Sequence, residues 1–135
     1  MKTIGIIGSR RRNSEEDFKE TERKFLSMYE DGDEIVSGGC PTGADAMAEV
    51  LAKKHQVPIK IYYAQWNKLG KGAGFARNTD ISRDADILIA LVSDDRKGGT
   101  EDTIKKFLKK KDQSGLVLIE PNESNEDFDP SKMSI

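Results

Sequence analysis

A chain of 135 residues carrying 22 basic and 24 acidic side chains, net charge −2, suits one compact domain closed around a single sheet and excludes a second domain of ordinary size. That balance also excludes a global attraction to nucleic acid or to an anionic membrane, so any anion site has to be local. One cysteine, Cys40, excludes an internal disulfide; with no apolar run near the roughly 20 residues that span a bilayer and no signal-peptide pattern, a soluble, cytoplasmic protein is expected.

"TIGIIG" at the start is a short apolar, β-branched run of the kind covered on both faces of a sheet. After "SRRRN", Ser14 is placed to cap a helix, with Asp17 at the capping-box position and Phe18, Phe25, Leu26 and Tyr29 along one stripe. "DGD" ends it and "EIVS" is a second strand. The corner "GGCPTGAD" follows, where Thr42 is expected to cap a helix that buries Ala44, Met47, Ala48, Leu51 and Ala52. "VPIKIYYA" reads as strand three, "QWNKLGKGAG" as a loop and "FARNTDISRDA" as a helix. "DILIALV" is the clearest buried strand; a helix from about Thr100 to Lys111, with Ile104, Phe107 and Leu108 inward, leads into "GLVLIE" as strand five.

Strands alternating with helices of this length imply right-handed βαβ units. The expectation is an α/β, three-layer Rossmann-like domain over residues 1–120, its parallel sheet of about five strands covered by helices on both faces. Residues 121–135, "PNESNEDFDPSKMSI", turn acidic and polar and read as a solvated or loosely docked tail.

In such a sheet ligands bind at the carboxyl ends of the strands, and the loops there carry "GSRRRN", "SGGCPTGAD", "WNKLGKGAGFARN" and "SDDRKGGT". Glycines let main-chain N–H groups converge on a ligand, and a helix N-terminus adds partial positive charge. The "SGGCPTGAD" corner therefore reads as a phosphate cradle, helped by the hydroxyls of Ser37 and Thr42. Two common nucleotide motifs fail. Gly5 and Gly8 are followed by Ser9-Arg10-Arg11 rather than by the dinucleotide fingerprint, and Gly70-Lys71 precedes Gly72 rather than the Ser or Thr of a Walker loop. A single His and a single Cys offer no zinc cluster.

The ordered set "GSR", "SGGCPTGADAMAE", "AQWNKLGKGAGFARN", "ADILIALV" and "GGT", spread over roughly residues 2–119, resembles the SLOG superfamily and within it the YspA-related branch. These are small Rossmann-like domains related to the Lonely Guy (LOG) phosphoribohydrolases and to the DNA-processing protein DprA. The resemblance implies a nucleotide or nucleotide-derived ligand, such as a signalling nucleotide or an ADP-ribose-like molecule, and a homodimer of the LOG type; no separate cofactor is expected. The hydrolase branch carries P-G-G-x-G-T-x-x-E, whose glutamate assists cleavage of the N-glycosidic bond. Here "RKGGTEDT" keeps Thr100 but puts Thr103 where that glutamate would stand.

The ligand set read from the loops and the resemblance together is Ser9, Arg10, Ser37, Gly38, Gly39, Thr42, Gly43, Trp66, Arg77, Asn78, Gly98, Gly99 and Thr100. Arg10, nearest the strand end, is assigned to phosphate, and Arg11 and Arg12 to a solvated charge run. Arg77, early in a helix where a cation is disfavoured unless an anion is present, is assigned to the ligand. Asn78 stands evenly between ligand and cap, and Asp45 between capping-box partner and ligand contact. Trp66 stands evenly between base stacking and packing, while Tyr62 and Tyr63 divide between the two faces of their strand. Cys40 reads as a small turn residue, His55 as a complement to a helix dipole, and Lys109, Lys110 and Lys111 as a solvated cluster. Binding or sensing of a nucleotide is the leading function. The alternative is an N-glycosidase that recruits Glu49, Asp94 or Glu101 as its carboxylate. A nucleic-acid partner is disfavoured by the absence of a basic surface.

Overall fold

The computed structural model describes residues 1–65, 67, 70–121 and 128–129. Five strands and four helices alternate along them: β1 (Thr3–Gly8), α1 (Glu15–Met28), β2 (Glu34–Gly38), α2 (Ala44–His55), β3 (Ile59–Tyr62), α3 (Ala73–Asp84), β4 (Ile87–Leu91), α4 (Gly99–Lys110) and β5 (Leu116–Ile119). The sheet is parallel throughout in the order β3-β2-β1-β4-β5, a three-layer Rossmann-like architecture as expected. Alternation along the strands divides the apolar side chains between two cores. Ile4, Ile6, Ile35, Ile89 and Leu91 pack with Phe18, Phe25, Met47 and Leu51 of α1 and α2, and Ile7, Val36, Leu88, Ala90 and Val92 pack with Ile81, Ile104 and Phe107 of α3 and α4.

Local signals set several boundaries. Ser14 Oγ accepts from Asp17 N–H at 3.0 Å while Asp17 Oδ2 accepts from Ser14 N–H at 3.2 Å, the reciprocal capping box expected for α1. The α2 cap differs from expectation. Gly43, at φ +74°, is the N-cap and Thr42 precedes it, because this corner needs a left-handed backbone that a threonine would strain. Leu26 and Leu108, placed inward by periodicity, are half exposed at the edge of their stripes.

Arg12 departs furthest from expectation. Instead of joining a solvated run it is 5 % exposed, and all five guanidinium N–H groups are used: Nε and Nη2 donate to Asp17 Oδ1, Nη1 to the Val92 and Ile119 carbonyls, and Nη2 also to the Glu120 carbonyl. One side chain thereby ties the β1–α1 loop to the ends of β4 and β5. Lys111 likewise leaves the solvated lysine cluster, its Nζ donating to the Ser82, Arg83 and Ala85 carbonyls at the C-terminus of α3. The described part of the tail is docked rather than loose: Phe128 is buried, stacks on Phe18 at 4.9 Å between ring centroids, and donates its N–H to the Asn13 carbonyl.

At the opposite end of the sheet, Asp33 accepts from the N–H groups of Lys2 and Glu30 and from Lys2 Nζ. Burial works to raise its carboxyl pKa, but these bonds and the lysine charge outweigh it and push the pKa from 3.8 down to about 2. A carboxyl that titrates lower in the folded state than in the unfolded one stabilises fully above the unfolded value and loses that contribution as pH falls. Urea midpoints should therefore fall between about pH 4 and pH 2, and Asp33→Asn should flatten that part of the profile. An unchanged slope in the variant would show that Asp33 is not the group responsible.

Candidate functional site

The chain runs β1 to β3 toward one edge of the sheet and then crosses β1 to lay down β4 and β5, so the order reverses between β1 and β4. The loops beyond these strands diverge at that point, and a cleft of about 410 Å³ opens there, within the range of small-molecule sites. Ile7 and Gly8 of β1, Arg10 and Arg11 of the following loop, Asp45 of α2, Arg77 and Ile81 of α3, and Lys97 to Thr100 at the start of α4 are among its lining residues. Four cations face the cleft and Asp45 is its one carboxylate among the described residues, a positive locality on a chain of net charge −2.

Two helices begin at the cleft, and neither has a side-chain cap. Gly43 caps α2 at φ +74° and Gly98 caps α4 at φ +101°, whereas α1, which starts elsewhere, carries a full capping box. The first turns of α2 and α4 thus carry N–H donors without a side-chain cap, and partial positive charge, at the cleft. Gly43 is fixed by its own N–H, which donates to Asn13 Oδ1 at 2.8 Å. Gly8 lets α2 close on the sheet: a Cβ there would stand 2.9 Å from both Ala44 Cβ and Leu91 Cβ.

Arg77 reaches the cleft from α3. Its Nε is buried without a hydrogen-bond partner, the one buried side-chain nitrogen or oxygen so placed among the described residues. A Cβ on Gly38 would meet Arg77 Nη1 at 3.1 Å and Asp45 Oδ2 at 2.7 Å, so the bare Gly38 backbone admits both side chains at the end of β2. Asp45 is held by the Cys40 N–H at 3.1 Å and by the Ser37 hydroxyl, which lies 3.0 Å from Asp45 Oδ1 and 2.6 Å from the Ile6 carbonyl. Asp45 therefore acts as the anchor of the glycine corner rather than as the partner of Thr42.

Of the residues expected to hold ligand, Ser9, Arg10, Gly38, Thr42, Arg77, Asn78, Gly98, Gly99 and Thr100 are brought together on the cleft wall. Ser37, Gly39 and Gly43 stand behind it: Ser37 is fully buried and positions Asp45, Gly43 caps α2, and Gly39 lies against Tyr63. Trp66 lies outside the described residues. Asn78, on the cleft wall, also serves the fold: its Nδ2 donates to the Gly99 carbonyl and to Asp102 Oδ2, both at 3.2 Å, which fastens α3 to the first turn of α4. His55 bonds Glu22 Oε2 at 2.8 Å, away from the cleft.

Arg11, Lys97, Cys40 and Thr103, outside the expected ligand set, also line the cleft. Arg11 pairs with Asp95 at 2.9 Å, bridging the β1 and β4 loops, a contact between loops distant in sequence that no local pattern announces. Glu49, Asp94 and Glu101 are absent from the lining, and Glu101 is engaged by Arg96 through two bonds of 2.9 and 3.0 Å. Thr103 stands in the lining with its hydroxyl donating to the Gly99 carbonyl at 3.1 Å. Among the described residues no three His, Cys, Asp or Glu side chains gather as a metal-binding group, and no helix is long and apolar enough to cross a membrane. Comparison with protein-family models, with curated proteins and with solved structures found no match to this chain.

Proposed function

We propose that the cleft binds an anionic small molecule of the nucleotide class, its phosphate held between the N-termini of α2 and α4 and by Arg77 and Arg10. The observation that carries this reading is the buried Arg77 Nε without a partner, at a cleft onto which two helices open without side-chain caps. An unpaired buried donor on a charged group costs free energy that a bound oxyanion recovers. The cleft volume suits a mononucleotide-sized ligand rather than a duplex, and its place at the switch point agrees with nucleotide sites in this architecture. The resemblance to the SLOG superfamily points the same way, and the cytoplasmic location and the homodimer belong to the same proposal.

Binding is favoured over base cleavage because the cleft offers Thr103 where the hydrolase branch has glutamate, and because Asp45, its one carboxylate among the described residues, is already held by Ser37 and Cys40. Titrating labelled protein with nucleoside 5′-monophosphates, NAD and ADP-ribose, while watching free base in the same tube, tests the proposal. The expected result is a saturable shift of the Ala44, Asp45, Gly99 and Thr100 amides with no base released. Amides that stay unmoved by every compound would overturn it, and accumulating base would replace it with the glycosidase reading.

A further inference from the structure

Gly39, one of the residues expected at the ligand, also makes room for an aromatic ring. A Cβ there would lie 2.1 Å from both Cδ1 and Cε1 of Tyr63, so only hydrogen fits between the ring and the backbone. The sheet register brings this about. Gly38 pairs with Tyr62 across β2 and β3, so the next residue of each strand end, Gly39 and Tyr63, meet just beyond the sheet. Tyr62 turns toward α3, where its hydroxyl donates to Asp84 at 2.6 Å, and Tyr63, just beyond the end of β3, lies against Gly39.

Tyr63 is a large aromatic side chain left 64 % exposed, resting on a backbone whose two flanking residues, Gly38 and Cys40, line the cleft. Tyr63 is not itself one of the cleft-lining residues, but a largely exposed ring packed on the bare main chain of Gly39, one residue from the Gly38 and Cys40 positions of the cleft wall, has the form of a stacking surface at its margin. We propose that Tyr63 stacks the planar base of the ligand while the helix N-termini and Arg77 hold its phosphate, which makes Tyr63 a determinant of specificity for aromatic nucleotides over sugar phosphates. This inference rests on the reading of the cleft as a phosphate site.

Calorimetric affinities for AMP, GMP, CMP and UMP, each compared with ribose 5-phosphate, separate the two claims. The wild-type protein should bind at least one nucleotide about tenfold or more tightly than ribose 5-phosphate, the scale of one aromatic stacking contact. Tyr63→Leu, which keeps apolar bulk without a ring, should erase that preference while leaving ribose 5-phosphate affinity unchanged, and Tyr63→Phe should retain it. Equal affinity for all five compounds in the wild type, or a preference that survives in Tyr63→Leu, would overturn the role of Tyr63 and leave the phosphate site standing. If none of the five binds, the phosphate site falls and the stacking role falls with it.

Discussion

Arg12→Met is expected to destabilise the fold by about 3–5 kcal/mol, a large share of the roughly 5–15 kcal/mol that holds a domain together. The substitution keeps most of the apolar stem and removes a guanidinium that satisfies one carboxylate oxygen and three carbonyls from elements far apart in sequence. Burial alone works to raise the Asp17 carboxyl, but the Arg12 bonds and the Ser14 cap outweigh it and hold it below the ordinary carboxylate value. Without Arg12, the buried Asp17 carboxylate loses the guanidinium that donates to its Oδ1 twice, and the cost of a weakened charge pairing in the interior adds to that of the lost carbonyl contacts. Arg12→Met combined with Asp17→Asn should therefore be more stable than Arg12→Met alone, since the amide can still accept from Ser14 while the buried carboxylate charge that Arg12 faced is gone. Urea denaturation at neutral pH measures both, and a double variant less stable than the single one would show that the buried charge is not the source of the loss.

For Arg77→Met, affinity and stability should move in opposite directions. The guanidinium stands at a cleft with its Nε buried and without a hydrogen-bond partner, a cost that, on the proposed reading, a bound phosphate would relieve. Removing it should lower affinity for whichever phosphate compound binds the wild type by about a hundredfold, on the scale of a lost charge-assisted contact in a partly desolvated site. The thermal midpoint of the free protein should stay level or rise. Arg77→Lys should recover part of the affinity, because an ammonium keeps the charge but not the planar fork. Calorimetry with the same compound and a thermal melt without it measure the two halves; undiminished affinity in Arg77→Met would remove Arg77 from the site.

The contrast among Arg10, Arg11 and Arg12 shows where sequence reading reaches its limit. Three consecutive arginines look alike in any local window, yet one stands exposed at the cleft, one bridges two loops to Asp95, and one is buried against the ends of β4 and β5. Gly38, Gly39 and Gly43 form a similar series. All three were legible as positions that need no side chain, but the reasons differ: room for Arg77 and Asp45 at the first, room for the Tyr63 ring at the second, and a left-handed cap at the third. Asp45 was legible as important and ambiguous in role, because the Cys40 N–H and Ser37 hydroxyl that hold it meet it only in the folded corner. Phe128 was invisible as a core residue, since an isolated aromatic in an acidic stretch carries no periodicity.

By itself the sequence determined the order and kind of the elements, the parallel layered architecture and the strand ends at which chemistry gathers. Each of these follows from short-range causes: apolar runs for buried strands, the 3.6-residue period for helices, glycine corners and a capping box. Only the tertiary structure decided which cations face the cleft and which are consumed by the fold, what each glycine makes room for, and which carboxylates are already engaged. Those outcomes depend on which strand ends become neighbours when the chain crosses from β3 to β4, and contacts across that crossing leave no mark on the residues adjacent in sequence.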